Sequence, residues 1–384
     1  MPLIQESPFS PRFTLARGWH PDWRRAADAC MEQLAAADRR HTLAFLYVSD
    51  RHADALPELL AHLQAGTRIP HWTGSLGIGL CSTGEEHLDT PGMVILATDC
   101  DETDFRILPS LRDGMLTGLA ELAPWLDQHQ SHVGIVHGDP RNGGLPTLLA
   151  RLADTLPGGF LAGGLASSRV APWQIADGVA EGGVSGVVFS DRVEILTGIT
   201  QGCTPIGETH TITRAERHLV EEIDGRPALD VFHEEIGEIL ARNLRRVAGY
   251  VFVGFPQRGS DTADYLVRNL LGVDLERRVL AVSEEVTPGQ PILFCRRDGT
   301  SAWEDLQRML EDLARRLDGA PPAGGLYFSC LGRGREMFGE EGRELRAIRD
   351  RLGEFPLAGF FAGGEIHRDR LYGYTGVLVL FRQV

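Results

Sequence analysis

PLAGFFAGGEIHRDRLYGYTGVLVLF, residues 356 to 381, decides the fold because it joins glycine turns to a buried strand. Pro356 follows a helical pattern, and the glycines at 359, 363 and 364 let the backbone pass close to a neighbour. Residues 376 to 381 form an uninterrupted apolar run, which is typical of a buried strand. A weaker copy lies earlier in the chain, where PGGFLAGGLASS at residues 157 to 168 is followed, after a polar stretch, by GVSGVVF.

A similar unit precedes each of these two stretches. Residues 133 to 137 and 326 to 329 are short apolar strands that run into Gly/Arg turns and then into helix patterns with apolar residues on one face. We therefore predict a mixed α/β fold made of two related α/β units in tandem, with sheets flanked by helices. The polar, glycine- and proline-punctuated segment from 202 to 227 divides the chain near residue 218, which gives an N-terminal unit of residues 1–218 and a C-terminal unit of residues 219–384.

Periodicity predicts the remaining elements. In the C-terminal half, Ser260 or Asp261 could cap a helix that carries Tyr265, Leu266 and Leu270. Other helices are predicted around residues 23–34, 56–63, 229–240 and 306–317. Other strands are predicted at residues 42–48, 93–97, 105–108, 194–200, 249–255, 279–282 and 292–295.

Length and composition limit the class of protein. A chain of 384 residues exceeds what one hydrophobic core usually serves, which favours two domains. The formal charge of -15 disfavours nucleic acid and anionic membranes as partners, since its field repels both. The opening residues have prolines where a signal peptide needs an apolar core, and we find no run of the length of a membrane span, so we expect a cytoplasmic protein. Six scattered cysteines without a CxxC pair argue for free thiols.

The most unusual local chemistry of the N-terminal half lies in HWTGSLGIGLCSTGEE, residues 71 to 86. Cys81, Ser82, Thr83 and Gly84 end a glycine-spaced strand and are followed by Glu85. Amide and hydroxyl groups at such a turn could hold a carboxylate or amide, and Glu85 could hold an ammonium group. The alternative is a tight strand end with a buried thiol.

The other candidate binding residues lie beside the glycine turns. Gly163 with Gly164, and Gly363 with Gly364, allow close approach either to a ligand or to a neighbouring strand. Glu365 follows the second pair directly, and its carboxylate needs solvent or a partner. Arg333 and Arg335 could be that partner, or could bind an anionic ligand, and the alternative is a surface salt bridge.

We nominate no catalytic residue and no metal ligand. Cys330 and Cys81 hold analogous strand-end positions, but the sequence fixes no histidine near either one to act as a base. Asp99, Asp101, Glu102 and Asp104 lack the spacing of an EF-hand, so we interpret them as a solvated turn. His129 and His132 lack cysteine neighbours, which disfavours a zinc site, and a haem would need one axial histidine that the sequence cannot single out.

Five motifs resemble the FIST family: GLCSTGEE (79–86), FLAGGLASS (160–168), GYVFVGFPQRGSDTADYLVRNLLGVD (249–274), YFSCLGRG (327–334) and PLAGFFAGGEI (356–366). They occur in the family's order and cover nearly the whole chain. The resemblance implies an intracellular sensory module of signal transduction that binds a small ligand. Amino acids are the ligand class it suggests, and some nitric-oxide-sensing members bind haem. Since no kinase, cyclase or chemoreceptor segment is attached here, it also implies a signalling partner in trans.

The first interpretation is therefore a cytoplasmic protein that binds an amino acid or similar polar metabolite near Cys81 to Glu85, Cys330, Arg333 and Glu365. Three alternatives stay open: a haem-based gas sensor, an enzyme with a thiol nucleophile, and a protein-interaction scaffold without a ligand.

Overall fold

The computed structural model describes residues 12–112, 117–120, 122–129, 133–237, 250–256 and 265–383. Its strands and helices confirm the predicted mixed α/β class. The Cα positions divide into two compact units. The larger is built from residues before 201, from 305 to 371 and from 375 onward, and the smaller from 201 to 304 and 372 to 374. These units interleave along the chain.

The first two thirds of the larger unit alternate strands and helices. The elements before residue 100 are β1 (Phe13–Trp19), α1 (Trp23–Ala36), β2 (Leu43–Ser49), α2 (Leu56–Thr67), β3 (His71–Gly77), β4 (Gly79–Ser82), β5 (Glu85–Leu88) and β6 (Gly92–Thr98). Those that follow are β7 (Phe105–Leu111), α3 (Thr117–Ala120), α4 (Ala123–Leu126), β8 (Val133–Gly138), α5 (Leu145–Thr155), β9 (Phe160–Leu165), β10 (Gln174–Ala176), β11 (Val179–Ala180), β12 (Val184–Phe189) and β13 (Ile195–Gln201).

The smaller unit and the C-terminal third complete the chain. The next elements are β14 (Cys203–Glu216), β15 (Leu219–Ile223), β16 (Arg226–Pro227), α6 (Ala228–Ile236), β17 (Val251–Pro256), β18 (Tyr265–Asp274), β19 (Val279–Val282) and β20 (Pro291–Arg297). The last are α7 (Gly299–Leu317), β21 (Pro322–Cys330), α8 (Arg335–Phe338), α9 (Arg343–Leu352), β22 (Leu357–Ala362), β23 (Glu365–His367), β24 (Arg370–Tyr372) and β25 (Thr375–Arg382).

The larger unit contains three copies of one strand pattern, one more than the sequence indicates. In each copy a strand pairs in parallel with the strand after its helix and antiparallel with the copy's last strand: β2 with β3 and β6, β8 with β9 and β12, and β21 with β22 and β25. A hairpin precedes each last strand. The copies give three six-stranded sheets, which we call the first, second and third sheet.

The copies exchange their hairpins. β4 of the first copy pairs with β22 in the third sheet, β10 of the second copy pairs with β3 in the first sheet, and β23 of the third copy pairs with β9 in the second sheet. One glycine in each sheet makes this pairing possible. At Gly74, Gly163 and Gly359 an added Cβ would overlap the carbonyl oxygen of the paired residue in the parallel strand. Glycine is therefore required where three backbones lie side by side.

One core joins the three sheets through their inner faces. Phe45 of the first sheet, Phe189 of the second and Phe381 of the third pack against one another, the first two with stacked rings and the last two edge to face. Tyr47 and His137 occupy equivalent positions deeper in this core, where the tyrosine oxygen and the histidine Nε2 lie 3.3 Å apart. Each buried aromatic side chain stabilises the fold by about 1.5–3 kcal/mol. The outer faces of the first and second sheets pack on α1 with α2, and on α4 with α5.

The smaller unit is built on one seven-stranded sheet in the order β14-β20-β17-β18-β19-β15-β16. Helix α6 packs on it and buries Leu229, Phe232 and Ile236. The predicted helix through Tyr265, Leu266 and Leu270 is wrong, because these residues belong to β18. Tyr265 and Val267 alternate toward a small core on one face of that strand. The caps proposed for that helix, Ser260 and Asp261, lie outside the described residues, as do residues 238–240 of the helix predicted at 229–240.

Candidate functional site

The third sheet differs from the other two at equivalent positions on its outer face. In each sheet, the required glycine lies between a residue of the first parallel strand and a residue of the hairpin strand that another copy contributes. Strand register gives these flanking pairs as Leu46 with Ile175, Val136 with Ile366, and Tyr327 with Cys81. The first two pairs lie in apolar cores against helices. The third pair adjoins buried polar groups. The fold itself therefore does not require polar residues on the outer face where a hairpin strand joins a sheet of another copy.

Glu344 of α9 is the centre of this buried polar cluster. Its Oε1 accepts hydrogen bonds from the Tyr327 hydroxyl at 2.6 Å and from Nε and Nη2 of Arg333 at 3.0 and 2.7 Å. Its Oε2 accepts from the Ser329 hydroxyl at 3.2 Å. Arg333 and Glu344 are each 1% exposed. Burial alone would lower the pKa of Arg333, but the Glu344 charge raises it above its usual value. Arg333 and Glu344 form a buried ion pair, in which each member compensates the other's buried charge.

Glu86 joins the cluster from the hairpin that the first copy contributes. It lies opposite Cys81 in the β4–β5 pairing and is 7% exposed. Burial raises the pKa of Glu86 to about 7, and the Glu344 charge adds to that shift. The backbone N–H groups of Gly342, at the start of α9, and of Arg335, at the start of α8, oppose it. The carboxyl group of the hairpin thus lies close to two helix N-termini, where a carboxylate is favoured.

Glu365 is buried completely at the start of β23. Its Oε2 accepts hydrogen bonds from the backbone N–H and the hydroxyl of Thr375, at 3.1 and 2.8 Å. Burial raises the pKa of Glu365 to about 8, against the opposing effects of Thr375, Arg333 and the Cys330 thiol. Glu365 is therefore not part of a surface salt bridge, and Arg335 pairs with Glu341 at the protein surface. The Arg333 charge lowers the pKa of Glu365, but Arg333 forms its ion pair with Glu344.

The two strand-end thiols lie in different surroundings. Cys81 is fully buried, and burial raises the pKa of its thiol well above the usual value. Cys330 is partly exposed at the end of β21, next to Glu365.

The paired glycines bring strands of two copies together. The Gly363 N–H donates to the Leu165 carbonyl at 3.0 Å, and the Leu165 N–H donates to the Gly364 carbonyl at 2.8 Å. Gly164 pairs with Glu365 where β9 meets β23. The close backbone approach that the glycine pairs predict is therefore to a neighbouring strand.

A separate surface cleft of about 490 Å³ lies at the β4–β5 turn. It is lined by Leu15, Arg17, Thr83, Glu85, Arg349, Glu354, Phe355 and Pro356. Nη1 of Arg17 lies 2.6 Å from a carboxylate oxygen of Glu85. The Thr83 hydroxyl fixes the turn, because it donates to the Phe355 carbonyl at 2.8 Å and accepts from the Leu357 N–H at 3.1 Å. Gly84 has a φ of +73° and lies beside the Arg349 guanidinium.

The predicted site residues therefore fall into three groups. Thr83 and Glu85 line the cleft, with Ser82 and Gly84 beside it. Cys81, Cys330, Arg333 and Glu365 lie in or next to the buried cluster. The four paired glycines pack against backbone.

Sequence reasoning missed the residue that organises the cluster. Glu344 stands four positions before Ile348 on the apolar face of a helix pattern, and this spacing was the signal for a buried carboxylate. Glu86 had a similar signal, because it faces the side of β5 opposite to Glu85. Arg17 and Arg349 had none, since their contacts depend on the exchange of hairpins.

The acidic turn is solvated only in part. Asp101 accepts from the backbone N–H of Thr103 within the turn, whereas Asp104 is buried against the Ser190 hydroxyl. His129 lies near Asp191, and His132 is outside the described residues. Within the described ranges we find no cluster of three or more metal-ligating side chains.

Comparison with known proteins identifies the class. The FIST N domain model matches residues 42–226 and the FIST C domain model matches residues 228–368. The chain therefore belongs to the FIST family, whose domains are sensory domains of signal-transduction proteins.

The relatives found do not refine this assignment. A protein of Mycobacterium tuberculosis strain H37Rv, named as uncharacterized, is 31% identical over 387 residues, which cover 94% of this chain and 97% of that protein. An uncharacterized protein of Mycobacterium bovis is 30% identical and is covered over 96% of its length. In the part of the chain that the structure describes, none of the helices has the length and apolarity needed to span a membrane.

Proposed function

We propose that this chain is a cytoplasmic sensory protein that binds an amino acid or a similar small zwitterion in the cleft at the β4–β5 turn. The observation that carries the proposal is the composition of the cleft wall. Two guanidinium groups, of Arg17 and Arg349, share a cleft of about 490 Å³ with the carboxylates of Glu85 and Glu354. This volume lies in the range of small-molecule sites.

A zwitterion matches both charge types of the wall. Its carboxylate can take hydrogen bonds from a guanidinium, its ammonium can donate to a carboxylate, and its side chain can rest on Leu15, Phe355 and Pro356. The existing Arg17–Glu85 pair is a weak competitor, because both side chains are exposed, at 39% and 51%. Such pairs contribute about 0–1 kcal/mol. A ligand can therefore replace this pair at little cost.

The cleft joins two copies of the strand pattern, which supports a sensory role. Arg17 and Glu85 belong to the first copy, and Arg349 and Phe355 belong to the third. A ligand that contacts both copies favours the arrangement in which the hairpin stays docked. Signalling then follows if a separate protein recognises that arrangement, because a ligand shifts an equilibrium only through differential affinity.

Isothermal titration of the full-length protein with a panel of free amino acids tests the proposal. We expect at least one amino acid to bind, and Arg17→Ala or Arg349→Ala to weaken it by about 10- to 100-fold, since a charge-assisted hydrogen bond contributes about 1.5–3 kcal/mol. The matched control is Arg315→Ala, which removes an exposed guanidinium outside the cleft.

N-acetylation of the amino acid that binds removes its positive charge and should abolish binding. Two results would refute the assignment. One is that no amino acid of the panel binds, and the other is that the Arg17→Ala and Arg349→Ala proteins bind with unchanged affinity. Among the described residues, none of those that line the cleft is a histidine, so the cleft gives haem no axial ligand.

A further inference from the structure

The three copies allow the position of Cys330 to be compared within one chain. By strand register, Cys330 is equivalent to Ser49 and Asp139. The Ser49 hydroxyl accepts a hydrogen bond from the Arg51 N–H at 3.4 Å, and the Asp139 carboxylate accepts from the Arg141 N–H at 2.9 Å. In the first two copies the side chain thus caps the following loop. A thiol is a weak acceptor, so capping does not explain a cysteine in the third.

Cys330 also differs from the other five thiols in its access to solvent. Cys30, Cys81, Cys100, Cys203 and Cys295 are buried, whereas Cys330 is partly exposed. Reaction with a small molecule in solution requires such access.

The Cys330 thiol lies next to the carboxyl group of Glu365, whereas the equivalent hairpin positions of the other two copies carry no carboxyl group. The hairpin positions equivalent to Glu365 hold Gln174 in the first sheet and Leu80 in the third. The Cys330 thiol lies within hydrogen-bonding reach of Glu365 and lowers the pKa of that carboxyl. Thr375 holds Oε2 of Glu365, and Oε1 has no nitrogen or oxygen donor among the described residues. A nucleophile, a carboxyl group and a residue that orients the carboxyl therefore lie together.

We propose that Cys330 is a thiol that reacts with hydroperoxides, with Glu365 as its base. Ionised Glu365 takes the thiol proton, and the sulfur attacks the distal peroxide oxygen. An S–O bond forms and the O–O bond breaks. The protonated Glu365 returns its proton to the departing alkoxide or hydroxide. The thiol and the hydroperoxide become a sulfenic acid and an alcohol or water, so sulfur is oxidised and the peroxide is reduced.

Two features of the surroundings suit this reaction. The Arg333 guanidinium interacts favourably with an ionised Cys330, which stabilises the attacking thiolate. Burial raises the pKa of Glu365 to about 8, so its ionised form is a stronger base than an ordinary carboxylate.

The test is site-resolved trapping of sulfenic acid with dimedone, after exposure of the full-length protein to hydrogen peroxide. We expect the trapped product at Cys330 and none at Cys81, with a rate that rises as the pH passes through about 8. Glu365→Gln should slow trapping at least tenfold, because a general base contributes about 10²–10⁴ in rate. Glu340→Gln, an exposed carboxyl outside the cluster, is the matched control.

Thr375→Val provides a second variant in case Glu365→Gln fails to fold. It removes the hydroxyl that orients Glu365, so the rate should fall while Cys330 itself is intact. Trapping at Cys330 that is no faster than that of free cysteine at the same pH would overturn the proposal. Folded Glu365→Gln or Thr375→Val protein that reacts at the original rate would overturn it as well.

Discussion

Replacement of the buried acid Glu365 by glutamine should make the protein more stable at alkaline pH. The glutamine would keep the shape of the side chain and an oxygen that accepts the two Thr375 hydrogen bonds. It would lose only the ability to ionise. The change therefore isolates the free energy of holding a carboxylate in a site from which water is excluded.

The magnitude follows from linkage between proton binding and folding. The pKa of Glu365 rises from 4.5 to about 8 in the folded protein, so the folded state holds the proton more tightly than the unfolded state. This contribution to stability is complete below pH 4.5 and is lost as the pH rises to about 8. A shift of roughly 3.5 pKa units at about 1.4 kcal/mol per unit gives a loss of about 5 kcal/mol. We expect the variant to match the wild type below pH 4.5 and to exceed its stability above pH 8.

Urea unfolding followed by tryptophan fluorescence measures this difference, because Trp19, Trp23, Trp72, Trp125 and Trp173 all lie in the larger unit. The buried carboxyl of Glu86, with a pKa raised to about 7, titrates in the same window, but both proteins share it. The difference between wild type and variant therefore reports Glu365 alone. Urea midpoints that stay parallel for the two proteins from pH 5.5 to 8.5 would refute the reasoning.

Two further substitutions test the buried cluster and the strand exchange by the same urea titration. Glu344→Ala leaves a buried guanidinium unpaired and should lower the free energy of unfolding by about 3–5 kcal/mol, whereas Glu340→Ala at the surface should change it by less than about 0.5 kcal/mol. Gly359→Ala places a methyl group on the Tyr327 carbonyl and should cost more than about 3 kcal/mol or prevent folding, whereas Gly178→Ala, with open space around it, should be tolerated. Wild-type stability of the Gly359→Ala protein would contradict the backbone packing described here.

The repeated pattern was partly visible in the sequence because apolar strands and paired glycines are local signals. The motif Ala-Gly-Gly occurs at residues 162–164 and 362–364, which indicated two copies, although strand register aligns Gly163 with Gly359 and not with Gly363. The first copy has the single Gly74 at the position of Gly163, so a comparison of glycine pairs could not find it. The signal that could have revealed the first copy is the order of its elements, namely strand, helix, glycine-containing strand, hairpin and strand.

The exchange of hairpins was beyond the reach of local patterns. β4 follows β3 almost directly in the chain but pairs with β22, whose residues are almost 280 positions away. Periodicity gives the face of a strand and not its partner. For this reason Cys81 and Glu85 were selected individually, while their neighbours Glu344 and Arg349 were not.

The helix predicted around Tyr265 failed for a related reason. Leu266 and Leu270 have helical spacing, but the buried residues of β18 alternate at Tyr265 and Val267. Both patterns fit a short apolar segment, and the neighbouring strands β17 and β19 decided between them.

Hydrogen–deuterium exchange of the full-length protein, with and without an amino acid from the panel at saturating concentration, tests ligand binding at the cleft most directly. We expect slower exchange in the peptides that contain Arg17, residues 83–86 and residues 349–356, because the ligand would join these segments. Unchanged exchange in all three, while an amino acid binds and protects some other region, would contradict the cleft as the ligand site.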